Sequence, residues 1–154
     1  MSETGPRRHA REMLLRVLYQ SEVNGDALDV SWREVADEER LPSETQAYAQ
    51  DLCSVLADRL NEVDAVVRRH LEHWSLERLG ATDRGVLRLA TAELLAMRGT
   101  PARVVLDEAV EIARRYGRDE SGDFVNGVLD RVARELRPGE LESEARVREG
   151  RVGG

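Results

Sequence analysis

Residues 85–97 constrain the fold of this chain more than any other segment. Val86, Leu87, Leu89, Ala90, Leu94, Leu95 and Met97 fall on nearly every side of a helix drawn through them. A surface helix needs one apolar stripe, whereas a helix apolar all round must be covered by neighbours on every side. Arg88 and Glu93 interrupt the apolar surface. They are five positions apart and cannot face each other along one helix. Each therefore calls for a partner on a neighbouring helix, or for a path along which the charge snorkels to water. The segment is too short to span a bilayer, so it belongs at the centre of a helical bundle.

The rest of the chain supplies the covering helices. No segment alternates with period two between hairpin turns, so strands are not expected. The spacing predicts a helix over residues 7–23, entered at Pro6 and left at Gly25. A short helix over 30–39 has Asp29 as a cap and Pro42 as the break behind it. Ser43-Glu44-Thr45-Gln46 reads as a capping box. The long helix behind it carries Tyr48, Leu52, Val55, Leu56 and Leu60, and a kink is expected near Asn61. Trp74, Leu76 and Leu79 form an apolar connector with a short helical turn. Thr82 or Asp83 would cap the central helix. Further helices are predicted over 102–116 and 121–136, the last starting with Ser121 as a cap. Gly127 costs about 1 kcal/mol in mid-helix, so a close neighbour is expected against it. Residues 139–154 mix both charges with glycine and read as a disordered tail. The expected fold is all-α: about seven helices in two packed subdomains, near 1–74 and 75–138, sharing one continuous core.

Hydrophobic residues make up 41% of the 154, enough for such a core. Cys53 is the single cysteine, which excludes an intrachain disulfide and reads as a buried thiol. No signal peptide is visible at the start, so a soluble cytoplasmic protein is expected. Walker, Gly-x-Gly-x-x-Gly and Gly-x-Ser-x-Gly motifs are absent, and nothing points to an enzyme. His70 and His73 have metal-compatible spacing but no third ligand, and read as a surface pair. Asp107, Glu108 and Glu111 read as salt-bridging surface residues, with Arg114 and Arg115 as helix-neighbour partners for Glu111. No cofactor and no metal is called for.

The net charge is −7, unevenly spread. Residues 1–16 carry Arg7, Arg8, Arg11 and Arg16 against Glu3 and Glu12, a local +2 that leaves −9 for the remainder. Arg7, Arg8 and Arg11 span one helical turn and could address successive phosphates; the plainer alternative is a solvated helix start. Phe124, the only phenylalanine, follows the helix start at Ser121. It could stack on a base or sit in the core. A helix N-terminus there would favour an anion, but Asp119, Glu120 and Asp123 would repel phosphate.

Together these segments resemble the NusB family of bacterial transcription antitermination factors. The resemblance runs over roughly residues 7–136. It is carried by Trp74-Ser75-Leu76-Glu77-Arg78-Leu79, by Asp83-Arg84-Gly85-Val86-Leu87-Arg88-Leu89-Ala90, and by Glu93-Leu94-Leu95. Asp107-Glu108-Ala109-Val110-Glu111-Ile112-Ala113 and Phe124-Val125-Asn126-Gly127-Val128-Leu129-Asp130 complete the pattern. The resemblance implies an all-α fold and binding of the single-stranded boxA element of ribosomal RNA leader transcripts. It also implies a heterodimer with NusE, the ribosomal protein that doubles as an antitermination factor. Together they would act in the RNA polymerase antitermination complex to read through terminators in ribosomal RNA operons. The family's RNA-binding arginines fall on Arg7, Arg8 and Arg11, and its aromatic falls on Phe124. A tyrosine of some members falls on His70, and His9 stands where some have a further arginine. Glu120, among the acids at the last helix start, is expected to weaken RNA binding. An acidic patch at Glu77 and Asp83 is the expected NusE surface, since that partner is basic. Two other readings stay open. One is an RNA-recognition module like that of ribosomal RNA cytosine methyltransferases. The other is a helical adaptor or homodimer that binds no RNA.

Overall fold

The computed structural model describes residues 5–153. Met1–Thr4, with the Glu3 counted in the basic start, and Gly154 lie outside the described residues. All regular structure among the described residues is helical. The helices are α1 (Pro6–Asn24), α2 (Leu28–Glu38), α3 (Ser43–Arg69), α4 (Ala81–Ala96), α5 (Ala102–Tyr116), α6 (Ser121–Leu136) and α7 (Glu140–Gly153), with a single 3-10 turn at Leu76–Arg78 before α4. None of the described helices is long and apolar enough to cross a membrane.

The all-round apolar helix is α4, and it packs against α1, α3, α5 and α6. Its two charges find partners on neighbouring helices. Arg88 makes a two-bond pair with Asp64 of α3 at 2.8 and 2.9 Å, and Glu93 pairs with Arg11 of α1. Gly85 lets α1 cross closely, because a Cβ there would lie 2.6 Å from Leu15 Cδ1.

Helix ends depart from the sequence reading. Pro6 and Gly25 do bound α1, and Gly25 adopts φ 72° with its N–H on the Ser21 carbonyl. The capping box at Ser43 is not made: Pro42 is the N-cap, and no side chain caps α3. The α3 kink falls at Arg59 (φ −123°, ψ 24°). Gly80, not Thr82 or Asp83, precedes α4. Ser121 is the first residue of α6 and not its cap; its Oγ accepts the Arg118 N–H at 2.9 Å.

Residues 140–153 are helical, correcting the disordered tail. Leu141 is buried against α5 and α6 residues. Glu140 accepts the Ala102 N–H at 2.7 Å, and Glu144 accepts the N–H groups of Ala102 and Arg103 at 3.0 and 2.9 Å. Two carboxylates from a distant helix thus satisfy the open end of α5. Arg137, buried at the α6–α7 junction, donates to the carbonyls of Leu94, Thr100, Glu93 and Met97 at 2.5–3.2 Å. It closes the C-terminal end of α4 in the same way.

The core is not continuous. One cluster gathers buried residues of α1, α2 and the first part of α3 with Leu89 and Ala92 of α4. The other gathers Val66 and Val67 of α3 with α4, α5, α6 and Leu141. The division therefore runs through α3 and along α4, not at Trp74. Arg11 and Glu93 line a small void together with Leu89 of the first cluster and Val105, Ala109 and Ile112 of the second. A charged layer lies where one apolar core was expected.

Candidate nucleic-acid interface

That layer is built from the arginines expected to face solvent. Arg11 is 2% exposed and meets the Glu93 carboxylate at 2.5–3.2 Å. Tyr48 of α3 donates its hydroxyl to Glu93 and shares a 3.1 Å hydrogen bond with Thr100. Burial, then the charge and hydrogen bond of Glu93, push the Tyr48 phenol up to about 12. Arg8 forms a forked pair with Glu108 of α5 at 3.0 and 2.6 Å. Glu108 is consequently buried and is not the surface acid the sequence suggested. Arg7 lies over the Tyr48 ring, 4.5 Å from its centroid, and donates to Thr100 at 3.2 Å. Arg8 and Arg11 thus neutralise interior carboxylates, and only the edges of Arg7 and Arg8 reach the surface.

Phe124 is half-buried and lies elsewhere. Arg8 meets α5 at Glu108, and Arg7 meets Thr100 before α5 begins. Phe124 instead lines an open hollow of about 530 Å³ at the C-terminal end of α5. From Glu108 to Tyr116 the helix alone rises about 12 Å. The basic start and the ring are therefore not side by side. Two glycines shape the corner under the ring. A Cβ on Gly117 would fall 2.6 Å from Ser121 Oγ, and one on Gly122 would fall 2.8 Å from Arg114 Cγ. The tight α5–α6 turn swings Phe124 to the hollow's edge. Gly127 meets nothing closer than Arg131 at 3.8 Å, so the close neighbour expected there is absent and the tight positions are 117 and 122.

The hollow holds what the basic start lacks. Trp74 and Tyr116 line it, and they are 60% and 50% exposed. Arg78 and Arg118 also line it, and neither makes an ion pair among the described residues. A second hollow of similar size shares Ala81, Thr82 and Tyr116 with the first. It continues along α1 past Glu12 and Arg16 to Tyr19. Four aromatic side chains, Phe124, Trp74, Tyr116 and Tyr19, thus follow one ledge. Exposed rings with unpaired guanidiniums are the elements that hold unpaired bases and their phosphates. All 23 cations of the chain are arginines, which stay charged and can fork onto phosphate. Asp83 and Glu120 sit on the same rim. Tyr116 donates its hydroxyl to Glu12, which raises its pKa.

Other expected site residues lie away from the ledge. His70 caps α3 and pairs through Nε2 with Glu135 near the end of α6, at 2.8 Å. Along α6 that is about 16 Å from Phe124 at the helical rise, so the two do not share a site. Glu77 is paired with Arg68, which lowers its pKa, and its charge is largely compensated. Of the acidic pair, only Asp83 reaches the hollow. His73 lies 3.9 Å from Glu72 on the surface. Trp74, Tyr116, Tyr19, Arg78 and Arg118 were missed by sequence reading. Their one visible signal is an aromatic or arginine beside a helix end, as at Tyr116-Gly117-Arg118.

The match to the NusB family spans residues 8–134. The chain belongs to the NusB family. A transcription antitermination protein NusB of Koribacter versatilis is 43% identical over 87% of this chain and 92% of its own length. The solved NusB of T. maritima superposes with a TM-score of 0.82 at 40% identity, covering 90% of this chain and 98% of that one. A chain in the crystal structure of antitermination factors NusB and NusE in complex with dsRNA superposes with a TM-score of 0.78 at 29% identity, over 84% and 97% of the two chains. Membership of the NusB family makes the protein a transcription antitermination factor and not an enzyme.

Proposed function

We propose that this NusB-family protein binds single-stranded RNA of the boxA type along the aromatic ledge, together with a NusE partner, within the RNA polymerase antitermination complex of ribosomal RNA operons. The observation that carries the reading is the conjunction of exposed Trp74 and Tyr116 with Phe124 and with Arg78 and Arg118, which have no ion pair among the described residues, around one hollow. Bases stack on the rings, and the guanidiniums take the phosphates. Arg7 and the exposed edge of Arg8 add a further phosphate contact. Glu120 repels the backbone and limits affinity. Asp83, at the rim, is the NusE contact, with the compensated Glu77 behind it. The solved complex that joins NusB, NusE and dsRNA supports RNA and NusE as partner classes, while the preference for a single strand rests on the exposed rings.

The test is a titration of a U-rich leader RNA, single-stranded and as a duplex, with and without NusE, over a salt series. The expected result is tighter binding of the single strand, further tightened by NusE, with a slope of about 0.7 per neutralised phosphate. Equal binding of duplex and single strand overturns the stacking model. Self-association with no RNA binding supports the adaptor reading instead.

A further inference from the structure

A further open hollow lies at α2 and α3. Residues 24–64 hold eleven Asp and Glu against three Arg, a net −8 in a chain whose total is −7. The net negative charge is therefore concentrated in the segment from the end of α1 to Asp64 of α3, and the rest of the chain is close to neutral. Within this region is an open hollow of about 800 Å³ that shares no residue with the aromatic ledge. Leu28, Trp32 and Leu60 give it an apolar lining, and Asp26, Asp29 and Asp58 stand around them. Asp26 and Asp58 are exposed and have no ion pair among the described residues, while Asp29 is shared with Arg33 at 3.2 Å. Trp32 is only partly buried against the first core cluster.

Apolar surface beside Asp26 and Asp58, with the one lining cation Arg33 paired to Asp29, disfavours nucleic acid, whose phosphates the field repels. It matches a helix that carries an apolar stripe between basic flanks. We infer that the α2–α3 hollow docks a basic amphipathic helix of a second protein. Apolar side chains of that helix would enter between Leu28, Trp32 and Leu60, and its Lys or Arg residues would meet Asp26 and Asp58. Because this surface and the ledge are separate, the protein can hold RNA and this partner at once. The inference does not depend on RNA binding.

The probe is a synthetic amphipathic helix of leucine and lysine, with a scrambled peptide of the same composition as control. Trp74→Phe in the full chain leaves Trp32 as the only tryptophan, so its fluorescence reports the site. The expected result is a saturable blue shift with the patterned peptide, weakened about tenfold by Asp26→Lys with Asp58→Lys. Charge reversal at Asp107 and Glu149, exposed acids outside α2 and α3, should leave the affinity unchanged. Circular dichroism confirms that both double variants fold. Equal binding of the scrambled peptide, or equal weakening in both double variants, overturns the inference, as does an unshifted Trp32. Concentration-dependent self-association that buries Trp32 without peptide would make a second copy the occupant, and would also overturn it.

Discussion

The buried polar layer and the aromatic ledge lie at two points along α5, and each inverts what residue type suggests. At the layer, arginines from the chain's basic start lie inside, neutralised by Glu93 and Glu108. At the ledge, Trp74 and Tyr116 stand in solvent beside arginines with no ion pair among the described residues. An arginine is not a surface cation when a neighbouring helix offers it a carboxylate, and an aromatic is not core when its helix ends where it stands. Local charge and hydropathy therefore misplace exposed cations and rings where helices from distant parts of the chain meet.

The contrast can be broken most severely at the layer. Glu93→Ala leaves the Arg11 charge buried without its main partner and should cost about 3–5 kcal/mol in denaturant unfolding. If Arg11 were instead a surface RNA contact, stability would hardly change and only RNA binding would fall. The same layer should respond to alkali. The folded-state pKa of Tyr48 is raised to about 12, so its contribution is present below the ordinary value near 10 and is lost as pH rises towards 12. Burial pushes the Cys53 thiol up to about 11, with the same sign and a lower onset. No lysine titrates in that range. Unfolding measured from pH 9 to 12 should show a decrease in stability on the order of 2 kcal/mol, smaller in Tyr48→Phe.

Changes at the ledge should move RNA binding and leave folding nearly intact. Trp74→Ala or Phe124→Ala should weaken binding of single-stranded RNA by about 1–3 kcal/mol in a fluorescence titration. The Trp74 variant should unfold at close to the parent temperature. Arg78→Ala with Arg118→Ala should flatten the salt dependence by about 0.7 for each phosphate no longer neutralised. A parallel shift with an unchanged slope would place phosphate elsewhere. Glu120→Gln should give the smallest change, a modest tightening of RNA binding. Weaker or unchanged affinity would remove Glu120 from the phosphate path.

Most of the helices were legible because each carries its own signal. The stripe of α6 through Val125, Val128, Leu129 and Val132 is buried as its spacing requires. The breaks at Gly25, Pro42 and Gly117 fall between helices. The NusB-family resemblance was likewise visible in short ordered motifs. What stayed hidden depends on pairs distant in sequence. Arg11 and Glu93 lie 82 positions apart. The α5 cap comes from Glu140 and Glu144, in a segment with almost no apolar periodicity. No local pattern distinguishes such carboxylates from solvated ones. At Phe124 the core reading holds in part: the ring packs on the core and also edges the hollow where stacking is proposed.

Sequence alone determined that the chain is helical, where most helices lie, that the segment around Val86 and Leu94 is central, and which family the motifs match. These follow from spacing within single helices, where one turn sees only its neighbours. Tertiary structure decided which charges are interior, where the core divides and which rings face solvent. Those outcomes depend on the desolvation and pairing of groups brought together by packing, and that energy belongs to no single segment.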